Sequence, residues 1–557
     1  MVKKLIQLLS KEISGLHEAA YLLAFFAFAS QILALVRDRL FASTFGASRV
    51  LDMYYAAFRI PDLLFVTIAS LVSISILVPF FMEAQQKGVS LKRLINSIFS
   101  VFFLLMVIGS GLVFFLLPYI EPKLFPGFSR EELESIIVLS RILLVSPFLL
   151  GISNFFASIV QMHNRFFLYA VSPILYNLGI IVGILVFYPL WGLYGLGFGV
   201  VLGALFHALV QVPFMIEKKT LPRFTLDIDF RNVRRIIALS IPRTVTLSTT
   251  SISAFALVSM ASLMGEGSIA IFNFSLNLQS VPLSIIGVSY SSAVFPLLSR
   301  LSIEDKKTAF LERMITTSKH IIFWSLPVSA LFIVLRAQIV RTILGAGQFS
   351  WSDTRLTAAA LALFTFSIIA QSLILLFVRA FYAEGKTMKP LFINVLAMVV
   401  TIAAGYFFLW SFRTHTGFAY FLEALLRIEN VPGAEVSVLA LAYTVGILFN
   451  TVLHWIAFHR EFSSYTRAVA GTFFKSLSAS VIMGYVSYIY LNVFDNVFDL
   501  NTLPGIFFQG LCAGLVGICS GVLVLRLLRS QELEEVWKTL HRKIWKARVV
   551  VPGPEQL

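Results

Sequence analysis

Nine ionisable residues stand inside or at the edges of long apolar runs: Arg37, Asp38, Arg39, Asp52, Arg59, Asp62, Arg141, Arg243 and Arg379. A guanidinium stays charged and offers a planar fork of donors that fits carboxylate or phosphate oxygens. In hydrocarbon such a group is costly, so it faces protein or a wet cavity. The chemistry these residues suit is therefore anion binding and ion pairing within a membrane. The stretch "LVRDRLFASTFGASRVLDMYYAAFRIPDLLF" (35–65) concentrates it, with four arginines and three aspartates. Arg39 and Arg49 read as interfacial, snorkelling to the headgroups. Arg59 differs, because it precedes Pro61. Proline removes one backbone donor and permits a bend, so a hinge carrying Arg59 beside a polar cavity is expected.

Bond-making chemistry finds no such support. The sequence has no Gly-rich phosphate loop ending in Lys-Ser/Thr and no HExxH. "GLYGLGFGVVLG" faintly echoes a dinucleotide fingerprint, but Gly195, Gly199 and Gly203 recur every four residues, which suits close helix packing in lipid. His163, His207, His320 and His454 share no ligand spacing. Cys512 and Cys519 sit in one late apolar run and read as small packing residues. No enzyme is expected, and neither a cofactor nor a metal site.

The elements that must position these charges are membrane spans. The chain has 557 residues, 58% of them hydrophobic and 13% charged, with mean hydropathy +0.87. Soluble proteins are about 25% charged. Apolar runs long enough to cross a bilayer recur throughout, so the fold class is an all-α polytopic membrane protein. About 14 transmembrane helices are expected, near 17–36, 53–82, 95–119, 134–160, 167–189, 192–215, 236–263, 268–298, 314–335, 354–383, 388–411, 435–458, 472–491 and 503–525. The side holding both termini carries roughly 29 Lys and Arg in its connections, the other roughly 9. Both termini are therefore expected in the cytoplasm. The net charge of +15 is explained by this topology and by anionic lipid, not by nucleic acid. The first 20 residues read as an amphipathic lead-in to a retained first span. The tail from Gln531 places Leu533, Val536, Trp537, Leu540 and Ile544 on one face, as an interfacial helix would.

An internal repeat is expected. "SPILYN" (172–177) resembles "KPLFIN" (389–394), a shift of 217 that also maps Pro79 onto Pro296. "GALFHALVQ" (203–211) resembles "GILFNTVLH" (446–454), shifted by 243, and one connection holds the extra residues. An even shift in span number makes the repeats parallel. This gives an N-lobe (1–216, spans 1–6), a cytoplasmic linker (217–235), a C-lobe (236–460, spans 7–12), spans 13–14 (461–528) and a cytoplasmic amphipathic tail (529–557).

"SQILALVRDRLFASTFGASRVLDMYYAAFRIPDLLF" resembles the start of the MurJ (MviN) family, the lipid II flippases of the multidrug/oligosaccharidyl-lipid/polysaccharide exporter superfamily. The resemblance continues in order through "FPGFS", "SPILYNLGI", "SIPRT", "VFPLLSRL", "GAGQFSWSDT" and "VRAFYAEGKTMKP". It implies two six-helix lobes in a V around a central cavity, plus a two-helix extension. It implies a multi-pass protein of the bacterial inner membrane that moves lipid-linked peptidoglycan precursor by alternating access, in cell-wall biogenesis and cell shape. Membrane lipids and cell-wall synthesis proteins are the implied partners. It assigns cavity roles to Arg37 and Asp52. The family's earlier span-1 arginine is Gln31 here, the arginine after "PDLL" is Phe65, and the span-8 arginine is Asn277. Some members use a sodium site with acids in spans 7 and 11, and this chain has none there. Arg59, Arg243 and Arg379 are the cations that would replace the missing ones, so the substrate-binding set is Gln31, Arg37, Asp38, Asp52, Arg59, Arg243, Asn277 and Arg379. Arg37 and Asp52 are expected to pair when the outer side is closed. Export of another polyprenyl-linked glycan or an amphiphile, or a non-transporting membrane scaffold of the same fold, stay open.

Overall fold

The computed structural model describes 16–68, 72, 74–86, 90–163 and 165–545. The amphipathic lead-in and the end of the tail lie outside the described residues. So do the side chains of Pro79, Pro242 and Arg243. Among the described residues the chain is helical, without strands. Eleven helices are long and apolar enough to cross a membrane, or twelve if Trp351–Thr365 and Ser367–Ala383, bent by 43°, form one broken span. The first helix and an interrupted second span stand beside these, in keeping with about fourteen.

Two compact units result. The first runs up to Val281 and adds Ile343–Phe364 and Lys386–Asn450; the second takes Pro282–Thr342, Thr365–Gly385 and the chain from Thr451 onward. The first stretch of the first unit supplies α1 (Leu16–Phe45), α2 (Arg49–Ala57), α3 (Arg59–Ile68), α4 (Ile74–Gln86), α5 (Leu91–Leu124), α6 (Arg130–Leu143), α7 (Val145–Met162), α8 (Phe166–Val182), α9 (Tyr188–Trp191), α10 (Leu193–Leu209), α11 (Val212–Glu217), α12 (Phe230–Ala261) and most of α13 (Ser268–Leu283), and Met388–Thr414 and Thr416–Leu426 join it from later in the chain. The expected second span is thus broken at Phe58, between α2 and α3, where Pro61 has no N–H to offer the carbonyl of Ala57.

Phe81, Phe102, Phe155 and Met215 are fully buried in a core shared by α4, α5, α7 and α11. Glycine sets the approach of α8 to α10. A Cβ on Gly203 would lie 2.4 Å from the Tyr176 carbonyl oxygen, and one on Gly199 2.4 Å from Gly183 Cα. The repeat-matched Gly446 is pressed in the same way against Thr401 of Met388–Thr414. The linker is stitched to the first turns of α5: Asn96, Ser97 and Ser100 bind the backbone of Arg223, Asp229 and Thr225, and Arg93 pairs with Asp227 at 2.7 Å. A short helix, Thr416–Leu426, occupies the connection read only as an insertion.

In the second unit Phe310, Phe377, Phe381, Phe458 and Tyr465 form the core, and the Tyr465 hydroxyl meets Ser318 Oγ at 2.6 Å. The tail helix Gln531–Trp545 does not leave its whole apolar face for lipid. Leu533 and Val536 pack on Phe323, Ala479 and Leu525, while Trp537 is exposed.

Candidate functional site

The charged stretch folds around a cavity of about 270 Å³ in the first unit. Arg37 and Phe41 enter from α1; Tyr54 and Tyr55 from α2; Phe58 from the break; and Arg59 and Asp62 from α3. Tyr176 and Ile180 come from α8, and Asn273, Leu276 and Asn277 from α13. The break at Phe58 starts a new helix at Arg59, so Arg59 and Asp62 lie on one face of its first turn.

The two arginines are held differently. Arg37 donates from Nε and Nη2 to Asp38 Oδ1 at 3.0 and 2.8 Å, and from Nη1 to Asn177 Oδ1 at 3.0 Å. Asn177 is oriented by donating to the Pro173 carbonyl at 3.1 Å. The second Asp38 oxygen accepts from Asn277 Nδ2 at 3.0 Å, and Asp38 is only 3% exposed. A buried pair is tolerated when its remaining lone pairs are satisfied, and here they are. Arg59 donates through Nη2 to Asn273 Oδ1 at 2.5 Å, and its Nε has no partner among the described residues. Asp62 is exposed to the cavity and adds a second carboxylate. Arg59 therefore keeps donor capacity for an arriving anion, whereas Arg37 is already engaged.

Asp52 takes another role. Its carboxylate accepts from the backbone N–H of Gly267 at 2.7 Å and of Ala270 at 2.9 Å. It thus caps the N-terminus of α13, where unpaired donors and the helix dipole favour an anion. In this conformation Arg37 is paired with Asp38, next in the chain, and α13 supplies Asp52 with two donors. Gly267 permits this approach, with φ of +82° and a position where a Cβ would lie 2.2 Å from the Ala47 oxygen. Arg49 is likewise clasped rather than snorkelling. Its Nε and Nη2 hold both Glu132 oxygens, Nη2 also meets the Gly127 carbonyl at 2.6 Å, and its N–H reaches Glu266 Oε1 at 3.0 Å. Arg39 donates to the Ile343 carbonyl at 3.1 Å.

Of the residues singled out in the sequence, the structure gathers Arg37, Asp38, Arg59, Asp62 and Asn277. Gln31 lies on α1 but not on the cavity wall, and Arg243 lies outside the described side chains. Arg379 belongs to the second unit, where it donates to the Ser291 and Ser292 hydroxyls at 2.9 and 2.6 Å. Sequence reasoning passed over Asn273, Tyr55 and Tyr176. Two asparagines one turn apart on an apolar span, Asn273 and Asn277, were the available signal.

A second, smaller pocket of about 20 Å³ is lined by Thr249, Thr250 and Ser253 of α12 with Asn394, Thr401, Tyr443 and Asn450. Asn450 Nδ2 donates to Asn394 Oδ1 at 2.7 Å, and Thr401 and Ser253 hydroxyls return to their own helices. Its lining carries no charge.

Residues 41–509 match the family model described as "Lipid II flippase MurJ". A probable lipid II flippase MurJ of Thermotoga maritima is 25% identical over 514 residues, covering 91% of this chain and 96% of that protein. The lipid II flippase MurJ of Burkholderia cenocepacia is 24% identical over 396 residues, covering 69% and 76%. Among solved structures, an inward closed lipid II flippase MurJ shares the fold with a TM-score of 0.70 at 21% identity, over 93% of this chain and all of that one. An inward-facing multidrug resistance MATE family transporter aligns with a TM-score of 0.63 at 16% identity, over 78% and 96%.

Proposed function

Because this chain belongs to the MurJ family of lipid II flippases, we propose that it carries a lipid-linked peptidoglycan precursor, lipid II, across the bacterial inner membrane. The observation that carries this reading is Arg59, a guanidinium on the wall of a 270 Å³ cavity that is held by one side-chain hydrogen bond, to Asn273. A pyrophosphate needs a desolvated cation with donors to spare, and Arg59 supplies them while Asn273 holds its other end. Arg37 and Asp38 act as a fixed pair that shapes the cavity and holds α1 to α8 and α13. Asp52 serves the access cycle. Its two bonds to α13 exist while the two segments touch, so a state that separates them loses both, and substrate binding shifts the balance between states.

The rest of the arrangement follows the same reading. Residues 1–216 and 236–460 are two parallel six-span repeats, which the glycine contacts at Gly203 and Gly446 support. Both termini and 217–235 face the cytoplasm, in keeping with the Lys and Arg bias. Enzymes of cell-wall synthesis supply and consume the cargo, and the chain itself makes no bond. A second reading, export of a different polyprenyl-linked glycan, is favoured by one observation: Asp62 faces the cavity, where Asn277 stands in place of a family cation. Complementation decides between them. The chain should restore growth to cells depleted of their own lipid II flippase, and its purified form should move labelled lipid II across liposomes. Failure of both, at normal membrane levels, removes the lipid II reading.

A further inference from the structure

At the break in the second span, hydrogen counting leads to a residue outside the cavity. Pro61 leaves the Ala57 carbonyl without the N–H four residues on. The hydroxyl of Ser140, on α6, lies 3.1 Å from that carbonyl. The same Oγ lies 2.5 Å from Oε1 of Glu121 on α5. Both Ser140 and Glu121 are fully buried. A serine hydroxyl has one hydrogen. If it goes to Ala57, the contact with Glu121 needs its hydrogen from the carboxyl. If Glu121 is ionised, the hydroxyl turns to the carboxylate, and the carbonyl at the break loses that bond.

Two further observations favour the protonated form. The other carboxyl oxygen, Oε2, has no hydrogen-bond partner among the described residues. A buried carboxylate with one bare oxygen is far costlier than a buried acid. Among the described residues no cation forms an ion pair with it either. Of the charged groups on the helices packed against it, Arg141 on α6 acts on Glu121 through its field, but Arg141 donates to the Phe114 carbonyl at 3.3 Å and lies over the Phe114 ring. Lys123 on its own helix is exposed, and Arg59 and Asp62 on α3 line the cavity.

We propose that Glu121 is a buried acid that donates to Ser140, that Ser140 donates in turn to the Ala57 carbonyl, and that this relay holds the break in the second span and so sets Arg59 and Asp62 in the cavity. Glu121 and Ser140 are positioning residues. The chain runs Glu121 Oε1–H to Ser140 Oγ, then Ser140 Oγ–H to Ala57 O, and no bond is made or broken beyond the hydrogen bonds. Its transport consequence rests on the flippase reading, but the hydrogen-bonded acid does not.

The test therefore has two arms, both on the full chain in liposomes. In the vibrational arm, the difference between wild type and Glu121→Gln at neutral pH should show the carbonyl stretch of a protonated, hydrogen-bonded carboxylic acid, shifted in Ser140→Ala. A carboxylate signal alone overturns the proposal, whatever the chain transports. In the transport arm, Glu121→Gln keeps a donor toward Ser140, so it should hold near wild-type flipping of labelled lipid II. Wild type should decline as rising pH strips the proton, and Glu121→Gln should not. Ser140→Ala should lower flipping about tenfold, the scale of one buried hydrogen bond, and Ser140→Thr should restore it. Glu121→Gln as impaired as Glu121→Ala, at equal membrane level, overturns the proposal. If wild type flips no lipid II, the flippase reading fails and the vibrational arm still decides this one.

Discussion

The 270 Å³ cavity and the 20 Å³ pocket each take one wall from the matched segments 172–177 and 389–394, yet they differ in charge. The cavity joins α1 and α8, where Asn177 steadies Arg37. The pocket joins α12 and Met388–Thr414, where Asn394, matched in sequence to Asn177, accepts from Asn450. One shared asparagine thus serves a guanidinium in one place and an amide in the other. The lesson is that helix packing at these interfaces asks only for a buried hydrogen bond. The charges in the cavity are an addition that packing does not need. Breaking them should cost more than breaking the pocket.

The largest effect is expected at Arg37. Arg37→Ala strands Asp38, nearly fully buried, with only Asn277 for company. Removing one partner of a buried pair costs about 3–5 kcal/mol. Asn394→Ala or Asn450→Ala removes a neutral hydrogen bond, worth about 1 kcal/mol. Thermal melting of the purified chain should rank them in that order. Arg37→Met with Asp38→Leu should recover most of the loss, since an apolar pair leaves no orphan charge. Equal melting of Arg37→Ala and Asn394→Ala would erase the contrast.

Arg59 comes next, and here function should fall more than stability. Its guanidinium has one bond to Asn273, so Arg59→Gln should melt close to wild type. Losing a charged hydrogen bond to substrate, about 1.5–3 kcal/mol, should slow flipping by roughly 10- to 100-fold. No comparable loss is expected from Thr401→Val in the pocket. Unchanged flipping in Arg59→Gln would shift the anion site elsewhere.

Which parts were legible in the sequence follows from what each depends on. Spans are set by runs of side chains, so hydropathy found them. The break at Phe58 is set by Pro61, which the sequence displays. The partner of Asp52 is set by backbone N–H groups of Gly267 and Ala270, more than two hundred residues away, and backbone donors leave no residue-type signature. Glu121 was invisible for a related reason: one acid near a span end reads as interfacial until Ser140 is placed beside it. The helix Thr416–Leu426 was missed as part of an insertion, although Phe418, Phe421, Leu422 and Leu425 recur at helical spacing.

A smaller effect should mark Asp52. Asp52→Ala removes a cap from α13, and caps are worth about 0.5–2 kcal/mol. The signature should be conformational. Spin labels on Ala47 and Ser268 should report a broader, longer distance distribution than in wild type, because the bonds that hold this end are gone. Asp52→Asn keeps one acceptor and should fall between. An unchanged distribution in Asp52→Ala would reduce the contact to packing.

The smallest effect belongs to the linker, far from either pocket. Asp229 caps α12 by accepting from the Asn232 N–H at 3.2 Å and from its side-chain amide at 2.7 Å. Those bonds favour the carboxylate and hold its pKa below the usual aspartate value, with Arg93 adding to the effect. A lowered pKa in the folded state means that the stabilisation is complete above the ordinary value, near 3.9. It is lost as pH falls through the lowered one. At neutral pH the cap is therefore fully present. Because Asp229 is largely solvated, its removal should cost about 1 kcal/mol or less. Asp229→Ala should lower the melting temperature slightly at pH 7, and the gap should close in acid. Flipping should not change, since Asn96, Ser97 and Ser100 still stitch the linker to α5. A transport defect in Asp229→Ala, with melting unchanged, would mean that the linker takes part in the access cycle, and would add a third region to the comparison.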